Sequence, residues 1–293
     1  MEWGRVGIWS MQLGRMPHVA VRECLRAIEA LGFRAIWFPE TFAKEGMAQA
    51  ALLLASTREA VVASGIANLW ARDPVAMMNG ARTLAEAYPG RLVVGIGVSH
   101  ASSVARRGHE YGRPLALVRE YLDAMEKAPY QGPLPEQPPP LLLAALGPRM
   151  LRLAAERTRG AHPYFVPVAH TVSARAELGA GPLLAPEQGV VLCPDPAEAR
   201  AIAREHTRHY LGLVNYRNNL LRLGWSEADV AGDGSDALVD AVVAWGDVAA
   251  IQARVAAHLA AGADHVSVQV LNGPPDRFPL DELRAIAPAL REL

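Results

Sequence analysis

The sequence is poor in cysteine, since Cys24 and Cys193 are its only two. Two cysteines are too few for a disulfide framework, and they are not spaced as metal ligands. No two histidines have the HExxH spacing of a zinc site, and none lies beside a cysteine pair. We therefore expect two buried thiols and no metal site.

No part of the chain concentrates positive charge. The 29 lysines and arginines are spread along the sequence, and the formal net charge is −1. Proteins that bind nucleic acids usually carry a basic patch or stripe that follows the phosphate backbone. The sequence therefore gives no reason to expect a nucleic-acid partner.

Long apolar runs are lacking as well. No stretch approaches the roughly 18 apolar residues that a helix needs to cross a bilayer, and the first ten residues lack the charged and apolar regions of a secretion signal. From these absences we predict no membrane partner and a cytoplasmic location.

Two common catalytic motifs are missing. A G-x-S-x-G nucleophile elbow does not occur, so a serine nucleophile is not indicated. The segment Gly95-x-Gly97 lacks the third glycine of a dinucleotide-binding fingerprint, which argues against a Rossmann-type NAD site.

What the sequence does contain is an alternation of short β-rich apolar runs with longer segments of helical period, a pattern typical of parallel strands joined by helices. The eight candidate strands are residues 5–9, 35–38, 61–67, 92–96, 141–146, 161–166, 189–192 and 265–270. With 293 residues and 51% apolar content, one α/β barrel fits as easily as two smaller domains. The strand number favours the barrel, so we predict a single (β/α)8 TIM-barrel domain over residues 1–293.

Local signals place several connections. Apolar residues at spacing three to four predict a helix over 19–31, ended by Gly32. Asp73 and Pro74 form the start of a second helix, over 74–88. Residues 129–140 contain six prolines and should be an inserted loop. Residues 213–244 fit the alternation least well and are interpreted as a helical insertion before the last strand.

Ionisable groups follow two of the strands, and in a barrel the catalytic residues lie at these carboxyl ends. Glu40 follows residues 35–38, where partial desolvation would suit it to acid/base use; the alternative is an N-cap or a rim salt bridge. His100 follows Gly95-x-Gly97, where missing Cβ atoms would let a ligand ring approach; the alternative is a solvated loop histidine. Glu40 and His100 are the candidate catalytic residues.

Glycines mark two further candidate positions. Gly65 interrupts an otherwise apolar strand, which often signals a bulge or the close approach of a ligand, although simple packing would also explain it. Gly147 and Pro148 open a helix whose first turn carries Arg149, and helix N-termini bind anions. Many helices begin this way without a ligand.

Several segments taken together resemble the luciferase-like monooxygenases, and within them the F420-dependent branch. The first group is Ser64-Gly65-Ile66-Ala67-Asn68, Trp70-Ala71-Arg72-Asp73-Pro74 and Pro89-Gly90-Arg91-Leu92-Val93-Val94-Gly95-Ile96-Gly97. The second group is Leu143-Ala144-Ala145-Leu146-Gly147-Pro148-Arg149-Met150, His162-Pro163-Tyr164, Asn215-Tyr216-Arg217-Asn218-Asn219 and Ala261-Gly262-Ala263-Asp264-His265-Val266. The order and spacing of these segments extend the resemblance over nearly the whole chain.

The resemblance implies a set of coenzyme contacts. The Gly65–Ile66 peptide would be cis and would support the deazaflavin ring, and Asn68 would bond the ring system. The remaining contacts would come from Ser99 and from Gly147, Pro148 and Arg149 near the ribityl or phosphate portion, with His162 and Tyr164 lining the same wall.

The resemblance also implies hydride transfer between the deazaflavin C5 and a small organic substrate, with His100 or Glu40 exchanging the accompanying proton. This chain departs from the family pattern at both positions, since the family often has an aspartate–histidine pair where Pro39-Glu40 stands and a glutamate where His100 stands. Two alternatives stay open: an FMN-dependent monooxygenase on the same barrel, and a barrel that binds F420 without catalysis. Homodimers are common in the family and are expected here.

Overall fold

The computed structural model describes residues 3–274 and 276–293, in which ten strands alternate with thirteen helices. The strands are β1 (Val6–Trp9), β2 (Ala35–Phe38), β3 (Val61–Asn68), β4 (Leu92–Gly97), β5 (Leu141–Leu143), β6 (Gly160–Ala161), β7 (Leu183–Leu184), β8 (Glu187–Leu192), β9 (Val243–Gly246) and β10 (Val266–Val270). The helices are α1 (Gln12–Arg15), α2 (His18–Ala30), α3 (Gly46–Ser56), α4 (Pro74–Ala87), α5 (Ala101–Ala105), α6 (Pro114–Glu126), α7 (Pro148–Arg157), α8 (Val168–Leu178), α9 (Pro196–Leu211), α10 (Val214–Arg222), α11 (Asp236–Val242), α12 (Val248–Ala260) and α13 (Leu280–Arg291).

All ten strands belong to one curled sheet in the order β7-β6-β5-β4-β3-β2-β1-β10-β8-β9, and every pairing is parallel. Strand β7 pairs with β6, whereas β8 pairs with β10 and β9. Only Ala185 and Pro186 separate β7 from β8. The parallel α/β architecture predicted from the alternation is therefore confirmed, with ten strands where the sequence indicated eight.

The two strands missed by the sequence pattern are β7 and β9. Strand β7 is only two residues long, and β9 follows α11 without a break, so neither shows a separate apolar run. The predicted strand at 161–166 was too long, because the sheet contains only Gly160–Ala161 there. Pro163 has no N–H to donate, and Phe165, at φ 55°, directs its N–H to Glu187 instead.

The predicted connections agree with the structure. Helix α2 spans His18–Ala30, and Gly32 follows it at φ 88°. The Asp73 side chain accepts from Ala76 N at the start of α4. Residues 129–140 contain neither helix nor strand. In the region 213–244, helices α10 and α11 precede β9, and residues 223–235 between them form turns.

The strands are buried on both faces, as is usual for parallel sheets. On β2, Ile36 and Phe38 pack with the helices in the main core. Ala35 and Trp37 point to the other face and form a smaller cluster with residues of β1, β3, β4 and β5. Period-two alternation therefore divides each strand between an outer, helix-covered face and an inner face. None of the helices in the described ranges is long and apolar enough to cross a membrane.

Candidate active site

A cavity of about 1230 Å³ lies at the carboxyl ends of the strands. Nine of the residues singled out from the sequence line it: Glu40, Gly65, Ile66, Asn68, Ser99, His100, Gly147, His162 and Tyr164. Pro148 and Arg149 are not among the lining residues in the described part of the chain, and Arg149 is exposed. The structure thus gathers residues from five separate strand ends around one space.

Strand β3 carries a bulge at the cavity wall. Its register against β4 shifts between Ser64 and Ala67, and the Gly65–Ile66 peptide is cis, as predicted. A Cβ on Gly65 would lie 2.7 Å from His162 Nε2 and 2.8 Å from Trp9 Nε1. Only glycine leaves room for these two rings, so the packing explanation for Gly65 holds whether or not a ligand approaches.

Packing against β3 and its neighbours, and not the approach of a ligand ring, requires the glycines of β4. A Cβ on Gly95 would lie 2.2 Å from the Ser64 carbonyl oxygen, and one on Gly97 would lie 2.9 Å from the Ala144 Cβ and 3.0 Å from the Ile66 side chain. The space that their missing Cβ atoms leave is therefore filled by the β3 bulge and its neighbours. The expectation that these glycines admit a ligand ring was wrong.

Asn68 ends β3 with its side chain at the cavity. Its Oδ1 accepts from Trp70 N at 3.0 Å, and its own N–H donates to Glu40 Oε2 at 2.8 Å. Within residues 3–274 and 276–293, its amide nitrogen Nδ2 makes no hydrogen bond. The Oδ1 contact fixes the amide, and the two Nδ2 hydrogens are left to a ligand.

Glu40 is an ion-paired carboxylate. Its side chain is 2% exposed and pairs with Arg72, whose side chain is 8% exposed. Oε1 also accepts from Gly46 N at 3.0 Å, and Oε2 accepts from Asn68 N and from Arg72 Nη1. These contacts occupy both oxygens, so the geometry corresponds to the salt-bridge alternative and leaves the carboxylate poorly placed to exchange a proton.

His100 lies at the end of β4, half-buried. Its Nδ1 is 3.2 Å from Asn215 Oδ1, and its ring packs on Tyr216 at 5.5 Å between centroids. Burial lowers the pKa of His100; the bond to Asn215 opposes this and nearby His209 adds to it. A Glu40 carboxylate close to His100 would raise this pKa, but the described contacts of His100 include no carboxylate.

His162 is buried beside the β3 bulge. Its Nδ1 donates to the Ala185 carbonyl oxygen at 2.7 Å, and Trp37 stacks on the ring at 4.4 Å. Burial lowers its pKa to about 4, so the ring is neutral at pH 7. In the described part of the chain Nε2 has no partner, which leaves one buried lone pair that can accept a hydrogen bond.

An aromatic wall of Tyr164, His206, Tyr210 and Tyr216 faces the bulge. Only Tyr164 was among the candidate site residues predicted from the sequence. Tyr164 donates to Gln269 Oε1 at 2.8 Å and accepts from the Tyr210 hydroxyl at 2.9 Å. Tyr216 packs on Tyr210, and burial lowers the pKa of His206 to about 3. His206 and Tyr210 are four residues apart on α9, and that spacing was the available signal for a shared face.

Glu187 lies behind this wall and was also missed. Its side chain is buried, Oε2 accepts from Phe165 N at 3.2 Å, and Oε1 has no partner within the described ranges. Burial raises its pKa to about 8. The group is therefore a neutral carboxylic acid at pH 7.

Arg222 lies beside the start of α7. Gly147 caps this helix, and the Arg222 guanidinium nitrogens are 3.6 Å from the position that a Cβ of Gly147 would take. Asn219 Oδ1 holds the same guanidinium at 3.0 Å. Arg222, from the helical insertion, is thus a cation beside this helix end, although it is not among the cavity-lining residues in the described ranges. No group of three or more His, Cys, Asp or Glu residues in the described ranges could hold a metal ion.

Comparison with known proteins gives concordant results. The family profile described as luciferase-like monooxygenase matches residues 9–265. A protein of Mycobacterium tuberculosis named as a coenzyme F420-dependent oxidoreductase is 28% identical over 172 residues, 58% of this chain. The match covers 46% of that relative, so it spans about half the relative's length.

Solved structures show the same fold at low identity. An F420-dependent secondary alcohol dehydrogenase in complex with an F420–acetone adduct has a TM-score of 0.77 at 16% identity, covering 98% of this chain and 99% of that one. The oxygenating constituent of 3,6-diketocamphane monooxygenase from Pseudomonas putida, in complex with FMN, has a TM-score of 0.68 at 16% identity, covering 98% and 95%.

Proposed function

This chain belongs to the luciferase-like monooxygenase family, and we propose that it is an F420-dependent oxidoreductase acting on a small organic substrate. The observation that carries the proposal is the cavity beside the β3 bulge, where packed rings and unpaired hydrogen-bonding atoms occur together. When bound, the deazaflavin supplies hydride transfer at C5, a carbon where flavin has a nitrogen. The relative named as F420-dependent supports this choice of coenzyme.

The residues at the bulge fit a flat heterocycle with polar edges. Asn68 Nδ2 can donate to a ring carbonyl, and the neutral His162 ring lies beside the bulge with its buried Nε2 unpaired in the described residues. Gly65, Ile66 and Ser99 supply the wall between them. The cavity, at about 1230 Å³, exceeds the usual range for one small ligand. It therefore has room for a coenzyme and a substrate together.

The proposal includes an eight-stranded barrel. Strand β7 bonds to β6, and β8, two residues later, bonds to β10, which pairs with β1. If β7 and β8 act as one interrupted strand and β9 as an addition at the edge of β8, the sheet returns to its beginning with eight strands. This arrangement would bring all the lining residues to one mouth.

His100 is assigned the proton transfer. It lines the cavity, and its Nδ1 is held by Asn215, which leaves Nε2 for a substrate. Because burial lowers its pKa, the ring is neutral at pH 7 and is ready to accept a proton. We therefore assign it as the base in the direction of substrate oxidation. Glu40 is assigned a positioning role, since it joins Arg72 to the Asn68 N–H.

The start of α7 is assigned to the phosphate portion of the coenzyme. Gly147 and Pro148 open the helix, and the positive end of the helix dipole favours an anion there. Arg222 supplies the three atoms nearest to a Cβ placed on Gly147, so it lies closer to that position than Arg149, although both residues are exposed. Arg222 therefore replaces Arg149 as the main cation of this subsite, with Arg149 as an outer contact.

The function is tested by a substrate screen that follows the absorbance of the deazaflavin. Alcohols, aldehydes, ketones and unsaturated compounds are offered with oxidised and with reduced coenzyme. Substrate-dependent bleaching or recovery that is lost in His100→Ala supports the enzyme. Tight coenzyme binding with no absorbance change for any compound would favour the alternative, a barrel that binds F420 without catalysis.

The second candidate is an FMN-dependent monooxygenase, because a structural neighbour of this chain contains FMN. That neighbour is 16% identical, so it speaks for the fold alone. Consumption of oxygen by the FMN-loaded protein with a reduced nicotinamide would favour this candidate over hydride transfer.

A further inference from the structure

Two consecutive arginines stand at the cavity beside α5, with one aromatic ring beneath both. The Arg106 guanidinium carbon is 4.0 Å from the centroid of the Phe42 ring, and that of Arg107 is 5.1 Å from it. All three residues line the cavity. A guanidinium that lies over an aromatic ring keeps its N–H edges available for hydrogen bonds in its own plane.

These arginines have unused donors. Arg107 donates from Nη2 to the Thr41 carbonyl oxygen at 3.3 Å, and its buried Nε has no partner within the described residues. In the same ranges, Arg106 makes neither a hydrogen bond nor an ion pair with a carboxylate. Arg72, on the same cavity, shows the contrast, since Glu40 and Glu45 both pair with it.

The charge of this part of the cavity is positive. Arg15, from α1, also lines it and has no carboxylate within 4 Å among the described side chains. The lining carboxylates are Glu40, which Arg72 already pairs, and Glu205. Two guanidinium groups that lie on an aromatic ring and pair with no carboxylate can donate several N–H bonds to one oxyanion.

We propose that Arg106 and Arg107, supported by Phe42, form a second anion-binding subsite that takes a carboxylate or phosphate group of a bound ligand. The inference rests on the proposed function and extends it, because this pair is distinct from Arg222 and the start of α7. Two sources can supply the anion: the acidic tail of the coenzyme, or an acid group on the substrate.

The test uses the double variant Arg106→Gln/Arg107→Gln, the single variant Phe42→Leu and the control Arg26→Gln. Arg26 is exposed on α2 and does not line the cavity in the described part of the chain. Calorimetry measures Kd for inorganic phosphate with each protein, first without coenzyme and then loaded with F420. A parallel titration compares F420 with the ribityl deazaflavin, which lacks the phosphate and the tail.

We expect the double variant to bind phosphate about tenfold to a hundredfold more weakly than the wild type, the range for bonds to a charged group. Phe42→Leu should lose less, and Arg26→Gln should lose nothing. If the coenzyme tail fills the subsite, the double variant also binds F420 more weakly, whereas its affinity for the ribityl deazaflavin is unchanged. The wild type loaded with F420 then no longer binds phosphate at the subsite. If the substrate fills it, F420 affinity is unchanged and loaded wild type still binds phosphate.

Equal phosphate and F420 affinities in the double variant and in Arg26→Gln would overturn the subsite. If the wild type binds neither F420 nor the ribityl deazaflavin, the proposed function is wrong. The phosphate titration of the protein without coenzyme would still decide the subsite in that case.

Discussion

The inner face of the sheet has two regions that use the same side chains differently. Towards the amino ends of the strands, His265 uses both ring nitrogens, since Nδ1 donates to the Gly4 carbonyl oxygen at 2.8 Å and Nε2 accepts from Trp37 at 3.0 Å. At the cavity, His162 uses one nitrogen and leaves the other without a partner in the described residues. Of these two histidines, the one with an unused hydrogen-bonding position is therefore the one that lines the cavity.

Charged groups repeat the contrast within the cavity itself. The Glu40–Arg72 pair is buried and its members bond each other, whereas Arg106 and Arg107 rest on a ring with donors to spare. Buried pairs shape a site, because either member alone would be an uncompensated charge. Unpaired cations at a cavity are available for binding. Substitutions at His100, Arg72, Glu187 and Arg222 test this division between structural and ligand-binding groups.

The largest effect is expected at His100. His100→Ala should lower kcat by roughly 10²–10⁴-fold, the usual scale for a general base, with little change in coenzyme affinity. In the wild type, the rate of substrate oxidation should fall as pH drops through the pKa of His100, which burial places below the ordinary value of 6.5. Rate profiles from pH 5 to 9 check both points. A near-normal kcat in the variant would remove His100 from the proton transfer.

The next largest effect is expected on stability, at the buried Glu40–Arg72 pair. Arg72→Met should lower the free energy of unfolding by about 3–5 kcal/mol, because it leaves the buried Glu40 carboxylate without its cationic partner. Denaturant unfolding measures the change. The matched control is Arg34→Met, which breaks the exposed Arg34–Glu59 pair and should have no measurable effect. Equal losses in the two variants would contradict a structural role specific to the buried pair.

Glu187 gives a prediction about pH. Burial raises its pKa from 4.5 to about 8 in the folded protein, so its contribution to stability is full below pH 4.5 and is lost as pH rises towards 8. Glu187→Gln should remove that loss. We expect the variant to match the wild type near pH 4.5 and to be more stable above pH 8 by about 2–3 kcal/mol, less than the full shift would give. Unfolding curves at the two pH values check the sign, and a wild type that is the more stable at high pH would contradict it.

The smallest effect is a difference in coenzyme affinity between variants of two arginines near the start of α7. Arg222→Met should weaken coenzyme binding about tenfold and reduce its salt dependence, since it removes the cation beside Gly147. Arg149→Met should change Kd by less, because the guanidinium beside the Gly147 Cβ position is that of Arg222 and not that of Arg149. Titrations at low and high salt measure both. A larger loss for Arg149→Met would restore the assignment made from the sequence.

Much of the fold could be predicted because it depends on local patterns. Gly32 and the Asp73-Pro74 pair marked helix ends that the structure contains. Strand β9 could not be predicted in the same way, because it continues directly from α11 and its identity depends on pairing with β8.

The site was less predictable for a related reason. His100 was proposed because it follows a strand and Gly65 because it interrupts one, whereas Asn68 and His162 were proposed from the family resemblance. The roles of Glu40 and Gly95 depend on Arg72 and the Ser64 carbonyl, whose positions follow from packing between strands. Tyr210 comes from α9 and Arg222 from the helical insertion, and no motif in the sequence ties either segment to the site.

The central claim is that this cavity is built for a deazaflavin coenzyme. Parallel titrations of the protein with F420 and with FMN, under the same buffer and salt, test it most directly. We predict that F420 binds at least about tenfold more tightly, a difference of about 1.4 kcal/mol in binding free energy. Equal or tighter binding of FMN would contradict the claim and assign the chain to the oxygen-activating side of its family.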